Sequence, residues 1–364
     1  MKRFFTKLCV LMMAFSLLAP LWGSLPTAQA ADKKDGPLKV ALLIGNRGDM
    51  SFFDSAVAGM EKAEKEFGKK IDVKIIEHGD DPSGFEPNFL DAADSGVDVV
   101  IVSSTLSEFV TKYAPDYPDV EFWIFDTEFD FSKGDYPNVY SIVYKANEAS
   151  FLGGYLVAAQ SKSGVIGFLG GIDQNIISDF LVGFIQGAKE AKPDIKVATS
   201  YVGSWTDSAK GKELGIAMYN QGADIVFNVA GGSGVGLIEA AVENKKQVLG
   251  VDSDQAMMYK AQGKEDFAKV IPTSVLKNVG DSLHRAIGLR LEGKLKLGAN
   301  EELGIKEGSV GLADNEYFQA AYPEDLRAKV KELEDKIIKG EIKVDSGYGM
   351  PTEKVKEIRD GVKP

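Results

Sequence analysis

The sequence predicts an α/β protein built as two similar lobes, each with a parallel sheet. Short apolar runs rich in β-branched residues alternate with longer segments of helical spacing. This alternation is typical of parallel sheets that are covered by helices on both faces. The pattern occurs twice along the chain, and 364 residues allow about two domains at roughly 100 to 200 residues each.

The first series of alternating elements predicts one lobe over residues 36–145. Residues 38–44 form a buried-strand run, and the segment that starts at Ser51 has apolar residues near helical spacing. Further strands are predicted at 73–76, 97–103, 120–125 and 139–143, with helices at 87–94 and 107–114. We therefore expect these strands to form one sheet.

The second series repeats the pattern and predicts the other lobe over residues 146–252. It begins with a helical segment at 148–161 that is rich in small and apolar residues. Predicted strands follow at 165–169, 195–201, 225–229 and 247–251. The two series together predict two lobes of the same kind.

The last part of the chain is predicted to be shared between the lobes. It contains an apolar run at 270–272, a helix at 274–292, a strand at 309–312 and an amphipathic helix at 323–339. We expect approximately residues 253–295 in the first lobe and approximately 300–345 in the second. Several crossings make a hinge, and the loops at the carboxyl ends of the strands would then face one cleft.

The first 30 residues have the features of a secretory signal. Three basic residues accompany an apolar stretch at 8–21, and residues 28–30 form a small-residue cleavage site. The stretch is shorter than the roughly 20 apolar residues that a membrane span needs. The single cysteine, Cys9, lies inside it and no cysteine follows the cleavage site, so we expect an exported protein without a lipid anchor.

The composition disfavours several classes of function. Two histidines, His78 and His284, and one cysteine leave almost nothing for a zinc cluster, an iron–sulfur site, a disulfide framework or a histidine-centred triad. The net charge of −12 becomes three units more negative without the first 30 residues, and such a surface repels nucleic acid. We therefore expect no cofactor, no metal and no nucleic-acid partner.

The loop at residues 45–54, after the first predicted strand, is the first candidate for the cleft. It matches neither GxxxxGK[ST] nor GxGxxG, so a nucleoside triphosphate or NAD site is disfavoured. Ser51 or Asp49 can cap the following helix. Phe53 continues the apolar helix face, which leaves Phe52 free to face the cleft as a stacking platform. The alternative is a plain connection with both phenylalanines in the core.

Three further loops carry candidate ligand-binding residues. Asp126 follows the predicted strand 120–125 and is either a hydrogen-bond acceptor for the ligand or a turn cap. Trp205 has little apolar company among Gly, Ser and Thr, which favours cleft or surface over core. Gly232 belongs to a glycine-rich turn before a helix, where backbone N–H groups can bind ligand oxygens, although such turns are also simply tight.

Asp252 and Asp254 are the strongest of these candidate site residues. Two carboxylates at a strand end are typical either of acid–base chemistry or of sugar binding, where one carboxylate accepts both hydrogen bonds of a vicinal diol. No histidine or thiol lies near them in the sequence to complete a nucleophile, so binding is favoured. Lys277, early in the predicted helix 274–292, either snorkels to the surface or pairs with Asp252 or Asp254 and donates to a ligand hydroxyl.

The motifs that resemble a known family are densest between residues 164 and 255. They are GVIGFLGG at 164–171, GSWTD at 203–207, AKGK at 209–212, MYNQGAD at 218–224, AGG at 230–232 and GVDSDQ at 250–255. In this collinear set the chain resembles the basic membrane protein (BMP) family, the purine-nucleoside-binding type of ABC-transporter substrate-binding proteins. The resemblance implies the type I periplasmic binding protein fold, with two Rossmann-like lobes that are joined by three crossings and close on a nucleoside.

The resemblance also implies roles for single residues. Phe52 and Trp205 match the aromatic pair that sandwiches the base, with Phe227 as the other candidate for the second aromatic. Asp126 matches the acid at the base edge. The positions that match the ribose contacts are Gly232, Asp252 and Lys277.

Two positions depart from the family pattern. The family usually has Asn after the Ser-Phe pair, whereas this chain has Phe53, which is also a candidate ligand-binding residue. A base-edge contact is therefore lost or is replaced by Asn46 or Asp54. The lipoprotein cysteine that is common in the family is absent, which favours a free periplasmic protein of a double-membraned bacterium.

These observations predict a binding protein rather than an enzyme. We expect a monomeric component of an ABC importer that binds guanosine, inosine or adenosine in the cleft and delivers it to a membrane permease. A sugar or autoinducer binding protein of the same fold and the ligand-binding component of a sensor are the alternatives, and a nucleosidase is less favoured.

Overall fold

Two six-stranded sheets form the framework of the structure, a computed structural model that describes residues 36–364. The secretory signal expected over residues 1–30 lies outside the described residues. The strands are β1 Leu38–Ile44, β2 Ile71–Glu77, β3 Val99–Ser103, β4 Glu121–Phe125, β5 Val139–Tyr144, β6 Val165–Gly170, β7 Lys196–Tyr201, β8 Ile225–Val229, β9 Gln247–Asp252, β10 Ser274–Lys277, β11 Ala299–Leu303 and β12 Val310–Leu312. The helices are α1 Phe52–Phe67, α2 Phe85–Asp94, α3 Ser107–Tyr113, α4 Ala146–Gln160, α5 Asn175–Ala191, α6 Ser208–Asn220, α7 Gly234–Asn244, α8 Gln255–Ala261, α9 Glu265–Lys269, α10 Val279–Leu291, α11 Glu316–Ala321, α12 Glu324–Ile338 and α13 Thr352–Asp360.

Strand pairing defines two lobes. The first lobe is built on the sheet β11-β5-β4-β3-β1-β2, and the second lobe on the sheet β12-β10-β9-β8-β6-β7. All pairings between these strands are parallel except that of β12 with β10. Strands β3 and β8 are buried along their whole length, as parallel strands covered on both faces are. The predicted fold class is confirmed, with one antiparallel edge strand added.

The chain passes between the two sheets three times. It leaves the first sheet after β5, returns to it between β10 and β11, and leaves it again between β11 and β12. The return to the first sheet places α10 against α1, where Gly59 and Gly280 approach so closely that neither position has room for a side chain. The passages bring the carboxyl ends of both sheets to one common region.

Strand pairing corrects two of the expected segment assignments. Residues 274–277, expected as the start of a helix in the first lobe, form β10 and pair with β9 of the second lobe. Residues 299–303 form β11 and pair with β5 of the first lobe, whereas approximately 300–345 was expected in the second. Each strand satisfies backbone groups at a sheet edge that would otherwise be open, a long-range requirement that local sequence does not display. The other lobe boundaries stay a prediction.

Helix α4 begins the second lobe and is buried on nearly all sides. Its Gly153 faces Leu249 and Val275 of the second sheet, while its Gly154 lies against the backbone of Phe184 in α5. A helix enclosed in this way has no polar face, which explains its small and apolar composition. Within residues 36–364, every helix falls short of the length and apolar character that crossing a bilayer requires.

Candidate functional site

A cavity of about 580 Å³ lies where the carboxyl ends of the two sheets meet. Its walls come from the loops after β1, β2, β3 and β4 of the first lobe and from those after β6, β7, β8 and β9 of the second. This is the place where ligands of open α/β sheets bind. The sequence-predicted site residues that line it are Asn46, Phe52, Phe53, Asp126, Trp205, Gly232, Asp252 and Lys277.

The turn between β1 and α1 is held by two carboxylates. Asp49 accepts hydrogen bonds from the backbone N–H groups of Ser51, Phe53 and Asp54, at 3.0, 2.8 and 3.1 Å. Asp54 accepts from the N–H groups of Gly48 and Met50, at 2.8 and 2.9 Å. Asp49 is therefore the helix cap, and its burial raises the pKa of its carboxyl to about 6 although the N–H groups oppose that rise.

Phe52 and Phe53 both reach the cavity. The Phe52 ring lies 5.2 Å from the Phe125 ring and 5.1 Å from the Phe53 ring, measured between centroids. Phe53, expected on the core face of the helix, is half-buried and packs its ring against Gly45 at the cavity wall. The first lobe thus supplies two adjacent aromatic rings.

Trp205 is an aromatic residue of the cavity wall on the second lobe. Its ring covers Gly171 and Gly231, where the absence of side chains leaves room for it, and its backbone carbonyl accepts from the N–H of Ser233 at 2.9 Å. Phe227, the alternative second aromatic, is fully buried and packs against other phenylalanines in the core. The structure therefore places Trp205, and not Phe227, at the cavity.

Asp252 lines the cavity but Asp254 does not. Asp252 has a left-handed backbone with a φ of 60°, which turns the chain sharply at the end of β9. Two residues later, the Asp254 carboxylate accepts from the N–H of Met257 at 3.2 Å and from Nδ2 of Asn315 at 2.8 Å. Asp254 is thus the cap of α8, and its expected place in the site is corrected.

Lys277 lies at the centre of a buried charged cluster. Its Nζ donates to Oδ2 of Asp126 at 2.7 Å and lies 3.5 Å from Oδ1 of Asp252. The same ammonium is 4.7 Å from the centroid of the Phe52 ring and 4.9 Å from that of Phe180. The sequence predicted a partner at Asp252 or Asp254, whereas the shorter contact is with Asp126, because Lys277 ends a strand rather than lying in a helix.

Electrostatics keep the ammonium charged. Burial opposes the charged form of Lys277, but the carboxylates of Asp126 and Asp252 outweigh it and raise the pKa of the lysine. Burial raises the pKa of Asp126, while Lys277 opposes that rise and Asp252 adds to it. Two acids that share one cation present ligand hydroxyl and N–H groups with acceptors in a dry environment.

Sequence reasoning missed several cavity residues. His78 and Asp80 follow β2, Ser104 and Thr105 follow β3, and Gln174 follows β6. His78 Nδ1 lies 2.7 Å from the carbonyl oxygen of Gly79, and burial lowers the pKa of its ring. These residues would have been found by treating the loop at the carboxyl end of every predicted strand as part of the cleft. Across residues 36–364, no group of three or more His, Cys, Asp or Glu side chains is arranged to hold a metal ion.

Comparison with known proteins agrees with this architecture. The model of a family described as ABC transporter substrate-binding protein, PnrA-like, matches residues 38–347. The chain belongs to this family. It is 34% identical over 318 residues to basic membrane protein A of Borreliella burgdorferi, covering 85% of this chain and 88% of the relative.

Two further similarities are informative. The ABC transporter nucleoside-binding protein BmpA of Lactococcus lactis subsp. cremoris is 31% identical over 324 residues, covering 85% of this chain and 89% of the relative. The crystal structure of a solute-binding protein of an ABC transporter system from Aeropyrum pernix superposes with a TM-score of 0.74 at 26% identity, covering 90% of this chain and 100% of that one. The protein is therefore an extracytoplasmic solute-binding component of an ABC transporter and not an enzyme.

Proposed function

We propose that the protein binds a purine nucleoside in the cavity and delivers it to an ABC permease. The observation that carries this proposal is the buried Asp126–Lys277–Asp252 cluster beside the Phe52 ring. A ligand that fits must combine a flat apolar part with several hydroxyl and N–H groups. A nucleoside meets both requirements, and the similarity to a nucleoside-binding relative points the same way.

Aromatic rings on both lobes support a place for the base. Phe52 comes from the first lobe and Trp205 from the second, so a planar ring held between them would contact both lobes at once. Asn46 is proposed at the base edge, because Asp54, the other candidate, already accepts two backbone hydrogen bonds in the β1–α1 turn. Asp126 is proposed as the acid at the same edge.

The ribose is proposed to contact Asp252, Lys277 and the backbone of Gly232. These groups lie on the second lobe, at the ends of β9, β10 and β8. A carboxylate accepts hydrogen bonds from hydroxyl groups, whereas an ammonium and a backbone N–H donate them, so the set matches the mixed character of a diol. We further propose that the protein works in the periplasm as a monomer without a lipid anchor.

A thermal-shift panel of nucleosides, free bases and sugars tests this function. We expect guanosine, inosine or adenosine to raise the melting temperature more than guanine, adenine, ribose or arabinose at equal concentration. A rise with pentoses or hexoses and none with nucleosides would contradict the proposal and favour a sugar-binding protein. Chromatography of the same mixtures must recover the nucleoside intact, since free base and ribose as products would indicate a nucleosidase.

A further inference from the structure

The two-residue segment Met50–Ser51 connects the first lobe with the second. It lies in the β1–α1 turn, yet the Met50 side chain is buried in an apolar cluster of the second lobe that includes Ala256 and Tyr259. The backbone carbonyl of Met50 accepts from Nε2 of Gln255 at 3.0 Å. A residue of one lobe is thus enclosed by the other.

Ser51 makes two hydrogen bonds to the same loop of the second lobe. Its Oγ donates to Oδ2 of Asp252 at 2.6 Å, and its carbonyl accepts from Oγ of Ser253 at 3.0 Å. The Ser51 side chain is fully buried, so water does not compete for the first bond. Its hydroxyl is free to make that bond because Asp49 caps α1 instead.

Both ends of this connection are fixed. On the second lobe, Oε1 of Gln255 accepts from the N–H of Val251 at 3.2 Å, which ties the receiving loop to β9. On the first lobe, Asp49 and Asp54 hold the turn against α1. The Asp252 carboxylate is therefore set between a hydroxyl of the first lobe at Oδ2 and the Lys277 ammonium at Oδ1.

We propose that Ser51 is a positioning residue for ligand binding. Its hydroxyl, supplied by the first lobe, orients the Asp252 carboxylate of the second lobe toward the ligand. The proposal rests on the proposed function, in which Asp252 contacts the ribose. Without the Ser51 hydroxyl, a buried charged oxygen loses its donor, and the carboxylate turns toward Lys277.

Paired serine variants test the proposal in binding experiments. Ser51→Ala removes the bond to Asp252, whereas Ser253→Ala removes a bond between the same two lobes that does not involve Asp252. We expect Ser51→Ala to weaken guanosine binding about tenfold or more and guanine binding much less, because hydrogen bonds to charged groups are the strong ones. Ser253→Ala should change either affinity less than about threefold. Equal losses in the two variants, or equal losses for guanosine and guanine in Ser51→Ala, would overturn the proposal.

A ligand-free measurement separates this inference from the proposed function. Urea unfolding of the wild type, Ser51→Ala, Asp252→Ala and the double variant gives the coupling between the two side chains. We expect a coupling of about fivefold or more in the unfolding equilibrium constant, and strict additivity would overturn the proposal. If the wild type binds no nucleoside while the unfolding data still show this coupling, the proposed function is contradicted. The positioning of Asp252 by Ser51 is then still supported.

Discussion

At the scale of single residues, one ammonium organises the buried charges of the cavity. Lys277 contacts Asp126 and Asp252, and all three side chains are more than nine-tenths buried. The cluster retains one uncompensated negative charge when both acids are ionised. This charge favours ligands that donate hydrogen bonds and disfavours anions such as nucleotides, since a phosphate would face two carboxylates for one cation.

The aromatic walls give the first prediction. Phe52→Ala and Trp205→Ala should each weaken nucleoside binding by roughly 1–3 kcal/mol, the usual contribution of stacking a base on an aromatic ring. Isothermal titration calorimetry measures the change. Phe131→Ala, which removes a half-buried ring away from the cavity, is the matched control and should leave the affinity unaltered. A large loss of thermal stability in Phe52→Ala would show instead that this ring serves the core.

The two neighbouring aspartates give the second prediction. Asp252→Asn keeps the shape of the side chain but removes the charge, so the affinity gap between guanosine and 2′-deoxyguanosine should shrink while the base preference stays. Asp254→Asn should alter neither, because its carboxylate caps α8 outside the cavity. Competition titrations with both nucleosides measure the gap. A gap that is equally wide in wild type and Asp252→Asn would remove Asp252 from the ribose contacts.

At the scale of elements, the β1–α1 turn depends on Asp49, a carboxyl whose pKa rises on folding because it loses contact with water. The pKa of Asp49 rises from 3.8 to about 6, so its stabilising contribution is fully present below pH 4 and is lost as the pH rises toward 6. The folded chain therefore binds a proton at the Asp49 carboxyl more tightly than the unfolded chain does. The turn therefore becomes weaker, relative to an uncharged equivalent, as the pH rises.

This linkage gives the third prediction. The difference in the free energy of unfolding between wild type and Asp49→Asn should become less favourable to the wild type by up to roughly 3 kcal/mol between pH 4 and pH 7. Urea denaturation of both chains across this range measures it, and the other titrating groups cancel in the difference. A difference that does not depend on pH would contradict the assigned pKa.

Elements also differ in how well the sequence predicts them. Strands β3 and β8 are continuous apolar runs because both faces are covered, and such runs are visible in the sequence. Strand β11 reads Ala-Asn-Glu-Glu-Leu at a sheet edge, where one face and one edge can meet water, so it has no apolar pattern to find. Strand β10 has four residues and merges in the sequence with the helix that follows.

The residues of the candidate site also differ in how well the sequence predicts them. Asp126 and Asp252 could be predicted because each stands at the carboxyl end of a strand, and the sequence shows where these strands stop. The same reasoning was wrong for Asp254, because the left-handed backbone of Asp252 turns the chain away from the cavity. Local sequence does not reveal that turn. The contact between Lys277 and Asp126 joins residues of different lobes, and only the three chain passages bring them together.

At the scale of the whole molecule, both lobes depend on the last fifth of the chain, which contains β11 and β12. The fourth prediction is that a chain ending at residue 292 shows no cooperative urea transition, because it lacks β11 and β12 and leaves an edge of each sheet open. Deleting only Lys363 and Pro364, which are exposed, should preserve the transition of the full chain. Circular dichroism during urea titration compares the two. A sharp transition in the shortened chain would show that the late strands are dispensable.

The position of β11 also governs the order of events during synthesis. Residues 38–144 supply five of the six strands of the first sheet, but the sixth leaves the ribosome more than 150 residues later. A nascent chain therefore cannot complete its first lobe while the second is being made, and it remains incompletely paired until nearly the whole polypeptide exists. The first sheet therefore stays open at its β5 edge for as long as the second lobe is being synthesised.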